Sequence, residues 1–167
     1  MKRVSCFVFL LVLAIVATLP VTGQKSDYSG VWKIDKQKSV LPEYLPSLSK
    51  ISIKIEGDSL FTERVYDGGE GQEYPFNESI TLDGKEYRMI IYDMPRKLKA
   101  NWSEQDGSLI VESTTTFNGQ NGAEDFISRE TWKIDKANST LTINFKNTIS
   151  GGESEGYFFF NRAEQSK

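Results

Sequence analysis

Histidine is absent from this chain of 167 residues, and cysteine occurs once, at Cys6. Without histidine no Ser-His-Asp or Cys-His nucleophile can be assembled and no proximal-His haem pocket exists. With a single thiol, no zinc site of the usual Cys or His type can be built either. Catalysis of any kind would have to rest on carboxylates, Tyr, Lys or Arg. The chain also lacks a Gly-rich phosphate loop and an acidic cluster of calcium-loop spacing, so no cofactor and no metal is expected. Nowhere after the first two dozen residues does a helical period persist.

Those first residues read as a leader. Lys2 and Arg3 form a positive start, residues 4–19 are an unbroken run of apolar or small side chains, and Val21-Thr22-Gly23 offers small residues to a signal peptidase. Residues 1–23 are therefore expected to be a signal peptide, with residues 24–167 one exported domain, secreted or periplasmic. A retained membrane span would need about 20 apolar residues, and this run is shorter and ends at Pro20. Cys6 lies inside the leader, so the mature chain would hold no thiol. Small secreted domains often depend on disulfides, whereas this one is long enough to bury a core by itself.

Basic charge is scarce as well. Without Lys2 and Arg3 the chain has 18 basic and 23 acidic residues, a net charge of −5. That balance argues against nucleic acid and anionic membranes as partners. The charges are scattered singly, as on a solvated outer face, and a monomer is expected.

What remains is a succession of short alternating segments separated by turn residues. Ile51, Ile53 and Ile55 alternate with polar residues and meet a turn at Glu56-Gly57-Asp58. Leu98, Ala100 and Trp102 alternate with Lys97, Lys99 and Asn101 before the turn at Gln105-Asp106-Gly107. Phe126, Trp132 and Ile134 share a face, and Lys136-Ala137-Asn138-Ser139 turns into Leu141, Ile143 and Phe145. Weaker strands cover residues 74–80, 85–93 and 157–162. The pattern predicts an all-β fold, an antiparallel up-and-down β-barrel of about 8–10 strands. Residues 67–72 and 118–125 read as polar, Gly-rich loop tips. Residues 36–48, with Pro42 and Pro46 among Leu41, Tyr44, Leu45 and Leu48, read as an apolar loop that either covers the barrel mouth as a lid or packs outside the closed end. Trp-Lys-Ile-Asp-Lys occurs twice, at residues 32–36 and 132–136. It reads as the same local solution reached twice, a buried strand end meeting a turn.

Ser29-Gly30-Val31-Trp32-Lys33-Ile34-Asp35 with Lys38-Ser39, and later Arg129-Glu130-Thr131-Trp132 leading into Leu141-Thr142-Ile143, resemble the short exported bacterial lipocalin-like (calycin-type) β-barrel proteins. The resemblance implies that Gly30 and Trp32 sit at the barrel's closed end with Arg162 lying across the Trp32 ring, a structural cation–π pair. The Thr-Asp-Tyr motif, the cysteines and the helix after the barrel found in many lipocalins are missing here. Arg64-Val65-Tyr66 is similar to the Arg-x-Tyr of fatty-acid-binding proteins, but lies in an early strand rather than the final ones. With a bacterial resemblance, the sequons at Asn77, Asn101 and Asn138 read as chance.

The resemblance implies a carrier, and the residues to examine are polar ones on apolar strand faces. Glu78 shares a face with Tyr74, Phe76 and Ile80. Ser113 and Thr115 share one with Leu109, Val111 and Phe117, while Ser128 and Glu130 stand between Phe126 and Trp132. A buried carboxylate demands a partner. The expected ligand-binding set is therefore Tyr74, Phe76, Glu78, Trp102, Ser113, Thr115, Phe126, Ser128, Glu130 and Trp132, around a small hydrophobic or amphipathic molecule. Two other readings stand beside it: a filled barrel acting as an interaction or inhibitor module, and a carboxylate enzyme using Glu78 and Glu130, with non-enzymatic binding the favoured one.

Overall fold

The computed structural model describes residues 28–42, 47–119 and 122–163; the segment expected to be a signal peptide, with Cys6, lies outside them. Among the described residues there are ten strands: β1 (Gly30–Ile34), β2 (Ser47–Glu56), β3 (Ser59–Asp67), β4 (Glu73–Thr81), β5 (Tyr87–Ile91), β6 (Met94–Trp102), β7 (Leu109–Gly119), β8 (Gly122–Asp135), β9 (Thr140–Ile149) and β10 (Gly152–Arg162). All neighbours are antiparallel and follow chain order, and the first and last strands pair, giving the sheet order β4-β3-β2-β1-β10-β9-β8-β7-β6-β5. The result is a nearly closed up-and-down barrel. Strict alternation builds it: along β9, Leu141, Ile143, Phe145 and Asn147 are buried while Asn144 and Lys146 are exposed, as period-two side chains require.

The seam lies between β4 and the β5–β6 hairpin. The chain just past β4 joins β6 through an Asp83–Asn101 bridge and a Gly84 N–H bond of 2.9 Å to the Ala100 carbonyl. Nearer the opposite end, β5 takes over the edge of β6, and β4 and β5 share no ladder.

One end of the barrel is filled. Trp32 and Trp132 are fully buried, packed with Tyr28, Leu60, Leu109, Leu141, Ile143 and Phe160. The Trp32 indole donates to the Tyr28 carbonyl at 2.9 Å, the Tyr28 hydroxyl donates to the Trp132 carbonyl at 2.8 Å, and Tyr28 meets Trp102 edge-on at 5.4 Å. Arg162 lies 4.2 Å over the Trp32 ring and donates to the Ser29 carbonyl at 2.8 Å. Gly30 is needed for this: its φ is +142°, and a Cβ there would come within 2.6 Å of the Arg162 guanidinium. The repeated pentapeptide has its explanation here, since both tryptophans are buried while Asp35 and Asp135 each accept backbone N–H groups of the following turn, from Lys38 and from Ala137.

Three boundaries differ from the sequence reading. Residues 118–125 are mostly ladder, because β7 and β8 stay in register out to Gly119 opposite Gly122. The β10 strand begins at Gly152 rather than at residue 157. A tight hairpin joins β5 to β6 through Tyr92 and Asp93, both at positive φ (47° and 64°). That two-residue geometry normally advertises itself by Asn-Gly. Here the Tyr92 hydroxyl, donating to the Pro75 carbonyl at 2.9 Å, helps hold it across the seam.

The apolar loop divides in two. Val40 exchanges both backbone hydrogen bonds with Tyr157 at 2.9 Å, and Leu41 packs against the core, so this part flanks β10 where the short β1 has ended. It passes so close that a Cβ on Gly156 would meet the Val40 carbonyl oxygen at 2.2 Å. Residues 43–46 lie outside the described part, and with them the lid expectation.

Candidate functional site: a charged layer beneath an apolar mouth

Half-way along the barrel the interior changes character. Strand β3 points Thr62, Arg64 and Tyr66 inward, β4 points Phe76 and Glu78, β6 Arg96, β8 Phe126, Ser128 and Glu130, and β9 Phe145 and Asn147. Arg64 reaches across to β8 and donates to both oxygens of Glu130, at 2.8 and 2.7 Å. Glu130 also accepts the Trp132 indole N–H at 2.8 Å, and the Arg64 guanidinium stands 5.5 Å from the Trp132 ring centroid. Across the seam Arg96 binds Glu78 through Nε at 3.0 Å and Nη2 at 2.9 Å, donates to Thr115 Oγ1 at 2.7 Å, and stands 5.5 Å from the Phe76 ring centroid. Arg64 Nε comes within 3.8 Å of Glu78 Oε2, linking the two pairs. Two cations and two carboxylates thus face one another with no net charge.

Bidentate guanidinium–carboxylate geometry is the arrangement that compensates buried charge best. Burial pushes the Glu130 carboxyl up, but Arg64 and the Trp132 N–H outweigh it, and the group is held below its ordinary 4.5. Burial likewise pushes the Tyr66 hydroxyl above its ordinary 10.0, leaving it a protonated donor at neutral pH. Because the folded-state value of Glu130 is depressed, its stabilisation is complete above the ordinary carboxylate range and is lost as pH falls through the folded value. The melting temperature should therefore hold from neutrality to about pH 5 and fall below that. Glu130→Gln should lower the plateau and flatten the acid limb, as scanning calorimetry across pH would record; parallel acid limbs in the two proteins would refute a role for this carboxylate.

Two cavities adjoin the layer. The smaller, ≈ 210 Å³, is bounded by Arg64, Tyr66, Phe126, Ser128, Glu130, Phe145, Asn147 and Phe158. The larger, ≈ 650 Å³, lies at the barrel mouth between Phe76, Ile91, Met94, Arg96, Thr115, Phe117, Phe126 and Ile149. Phe126 borders both.

Of the residues singled out in the sequence, Phe76, Thr115, Phe126, Ser128 and Glu130 border these spaces, and Glu78 belongs to the ion-paired layer. Ser113 is buried in the wall opposite Ser128. Tyr74 is half exposed at the rim, its hydroxyl donating to Gln72. Trp132 and Trp102 sit below the layer, Trp132 screened by Arg64 and Trp102 packed edge-on against Tyr28, so neither borders the two cavities. Arg64, Tyr66, Arg96 and Asn147 complete the site. Alternation already turns Arg64 and Tyr66 to the same face as Leu60 and Thr62, which was the available signal; Arg96 follows Pro95 in a stretch with no strand signature.

Among the described residues no cluster suited to a metal ion occurs, and no helix is long and apolar enough to cross a membrane. Comparison with protein-family models, with curated proteins and with solved structures finds no match to this chain.

Proposed function

We propose that the chain is an exported, lipocalin-like carrier of a small hydrophobic or amphipathic molecule, bound in the mouth of the barrel with its apolar part against Phe76, Phe117 and Phe126. The observation that carries this reading is the ≈ 650 Å³ apolar space opening above a compensated polar floor. Its volume falls within the usual range for small-molecule sites, about 300–1,000 Å³, and argues against a fully filled barrel acting only through its surface. The enzyme reading is weakened by the same floor, because Glu78 and Glu130 are both engaged by arginines and Glu130 stays ionised, without a proton to give.

Direct support would come from native mass spectrometry of protein purified from its own host, with release of a small molecule on denaturation. The complementary assay is titration with N-phenylnaphthylamine, an uncharged dye that brightens in apolar surroundings, since all three tryptophans lie at the filled end and make poor reporters. Saturable one-to-one binding is expected. Phe126→Ala should weaken it by roughly tenfold, about 1.4 kcal/mol, while Ile127→Ala, on the outer face, should leave it unchanged. A protein that carries nothing and leaves the dye dark would refute the carrier reading.

A further inference from the structure

We infer that the ≈ 210 Å³ compartment beneath the mouth seats an uncharged aromatic ring bearing a hydroxyl, which makes the carried molecule an alkylphenol in type rather than a fatty acid or a straight-chain alcohol. This deepens the carrier reading and rests on it. Ser128 and Asn147 stand opposite one another on β8 and β9, border the compartment and are only 8% and 5% exposed. Neither side chain has a hydrogen-bond partner among the described residues, yet neither is sealed: the unpartnered side-chain atoms with no accessible surface belong to Thr62, Arg64 and Trp102. Buried polar groups are normally matched, so two that face open space without partners point to a group that enters it. The way in is short. Phe126 lies one inward position above Ser128 on β8, and Ser154 lies opposite Asn147 on β10; both border the ≈ 650 Å³ mouth. A molecule lying along Phe126 therefore has its tail in the mouth and its head beside Ser128 and Asn147.

The lining selects the head. Ser128 offers a hydroxyl, Asn147 an amide and Tyr66 a hydroxyl held protonated, so donors and acceptors are both present without charge. The charged pair at the compartment's floor, Arg64 and Glu130, is closed on itself by two hydrogen bonds. A carboxylate would stand beside Glu130 with no cation of the lining to spare, and an ammonium beside Arg64 with no carboxylate to spare. A hydroxyl meets neither obstacle. The shape of the head comes from Phe126, Phe145 and Phe158, the last two packed with centroids 5.1 Å apart. An apolar cavity of about 150 Å³ is enough to hold benzene, so the compartment takes one substituted ring. Against these phenylalanines a ring gains edge-to-face contacts that a flexible chain lacks.

Displacement of N-phenylnaphthylamine by 4-hexylphenol, 4-hexylbenzoate and 1-decanol, at neutral pH and below their solubility and micellar limits, tests the assignment. The benzoate puts a charge on the ring, and decanol keeps a hydroxyl on a chain of similar reach without the ring. 4-Hexylphenol should compete at a concentration about tenfold below either. Asn147→Leu, which keeps a similar volume and deletes the amide, should shrink that advantage severalfold; should that variant not fold, Ser128→Ala decides in its place. If the dye binds but the benzoate or decanol competes as well as 4-hexylphenol, or if the substitution leaves the preference intact, the ring seat is refuted while the carrier reading stands. If the dye does not bind at all, the carrier reading falls and this inference with it.

Discussion

Replacing Arg64 by methionine should destabilise the barrel by about 3–5 kcal/mol, the usual cost of removing one member of a buried ion pair. The reason is less the lost attraction than what is left behind. Glu130 would keep only the Trp132 indole N–H, in an interior where both of its oxygens are now engaged by Arg64. Glu78 would be less affected, since Arg96 holds it independently. Removing the stranded charge should therefore restore much of the loss. In Arg64→Met combined with Glu130→Gln, the amide oxygen can still accept from Trp132, and the double variant should be more stable than Arg64→Met alone. Urea unfolding midpoints of the four proteins measure this directly. A loss below about 1 kcal/mol for Arg64→Met, or a double variant showing the simple sum of the single losses, would mean that the pair contributes little and does not couple.

At the other end of the barrel, Trp32→Ala should cost a similar amount, about 3–5 kcal/mol, because a large aromatic is deleted from a site with no access to water. The ring is fully buried, its N–H is satisfied by the Tyr28 carbonyl, and Arg162 covers it at 4.2 Å. Arg162→Ala should cost about 1 kcal/mol, the order of a cation–π contact at a partly exposed site. The two losses should not add, since the guanidinium stacks on the ring that the first substitution removes. Full additivity in a double-mutant cycle would show that Arg162 acts only through its bond to the Ser29 carbonyl.

Much of the architecture was legible in the residues because strand formation and hairpin pairing are local. Alternation placed Ile51, Ile53 and Ile55 inward, and Glu56-Gly57-Asp58 ended that strand where β2 ends. Where turn chemistry was unorthodox, legibility failed. Tyr92 and Asp93 form a tight turn without the expected glycine, helped by a hydroxyl contact to Pro75, which only the closing of the barrel brings near.

The site divides along the same line. The sequence by itself determined that polar residues fall on apolar faces, naming Glu78, Ser128 and Glu130, and that a carboxylate there would need a partner. Only the tertiary structure decided which partner. Arg64 and Glu130 are 66 residues apart and lie on strands that are not neighbours in the sheet, so their meeting depends on how the barrel curves and closes. Arg96 meets Glu78 only because the seam brings β4 against β6. The same closure put Trp102 and Trp132 at the filled end and left the open volume to Phe76, Phe117 and Phe126. Period-two alternation states which side of a strand faces inward; the height of each residue in the barrel, and what stands opposite it, comes from register and closure.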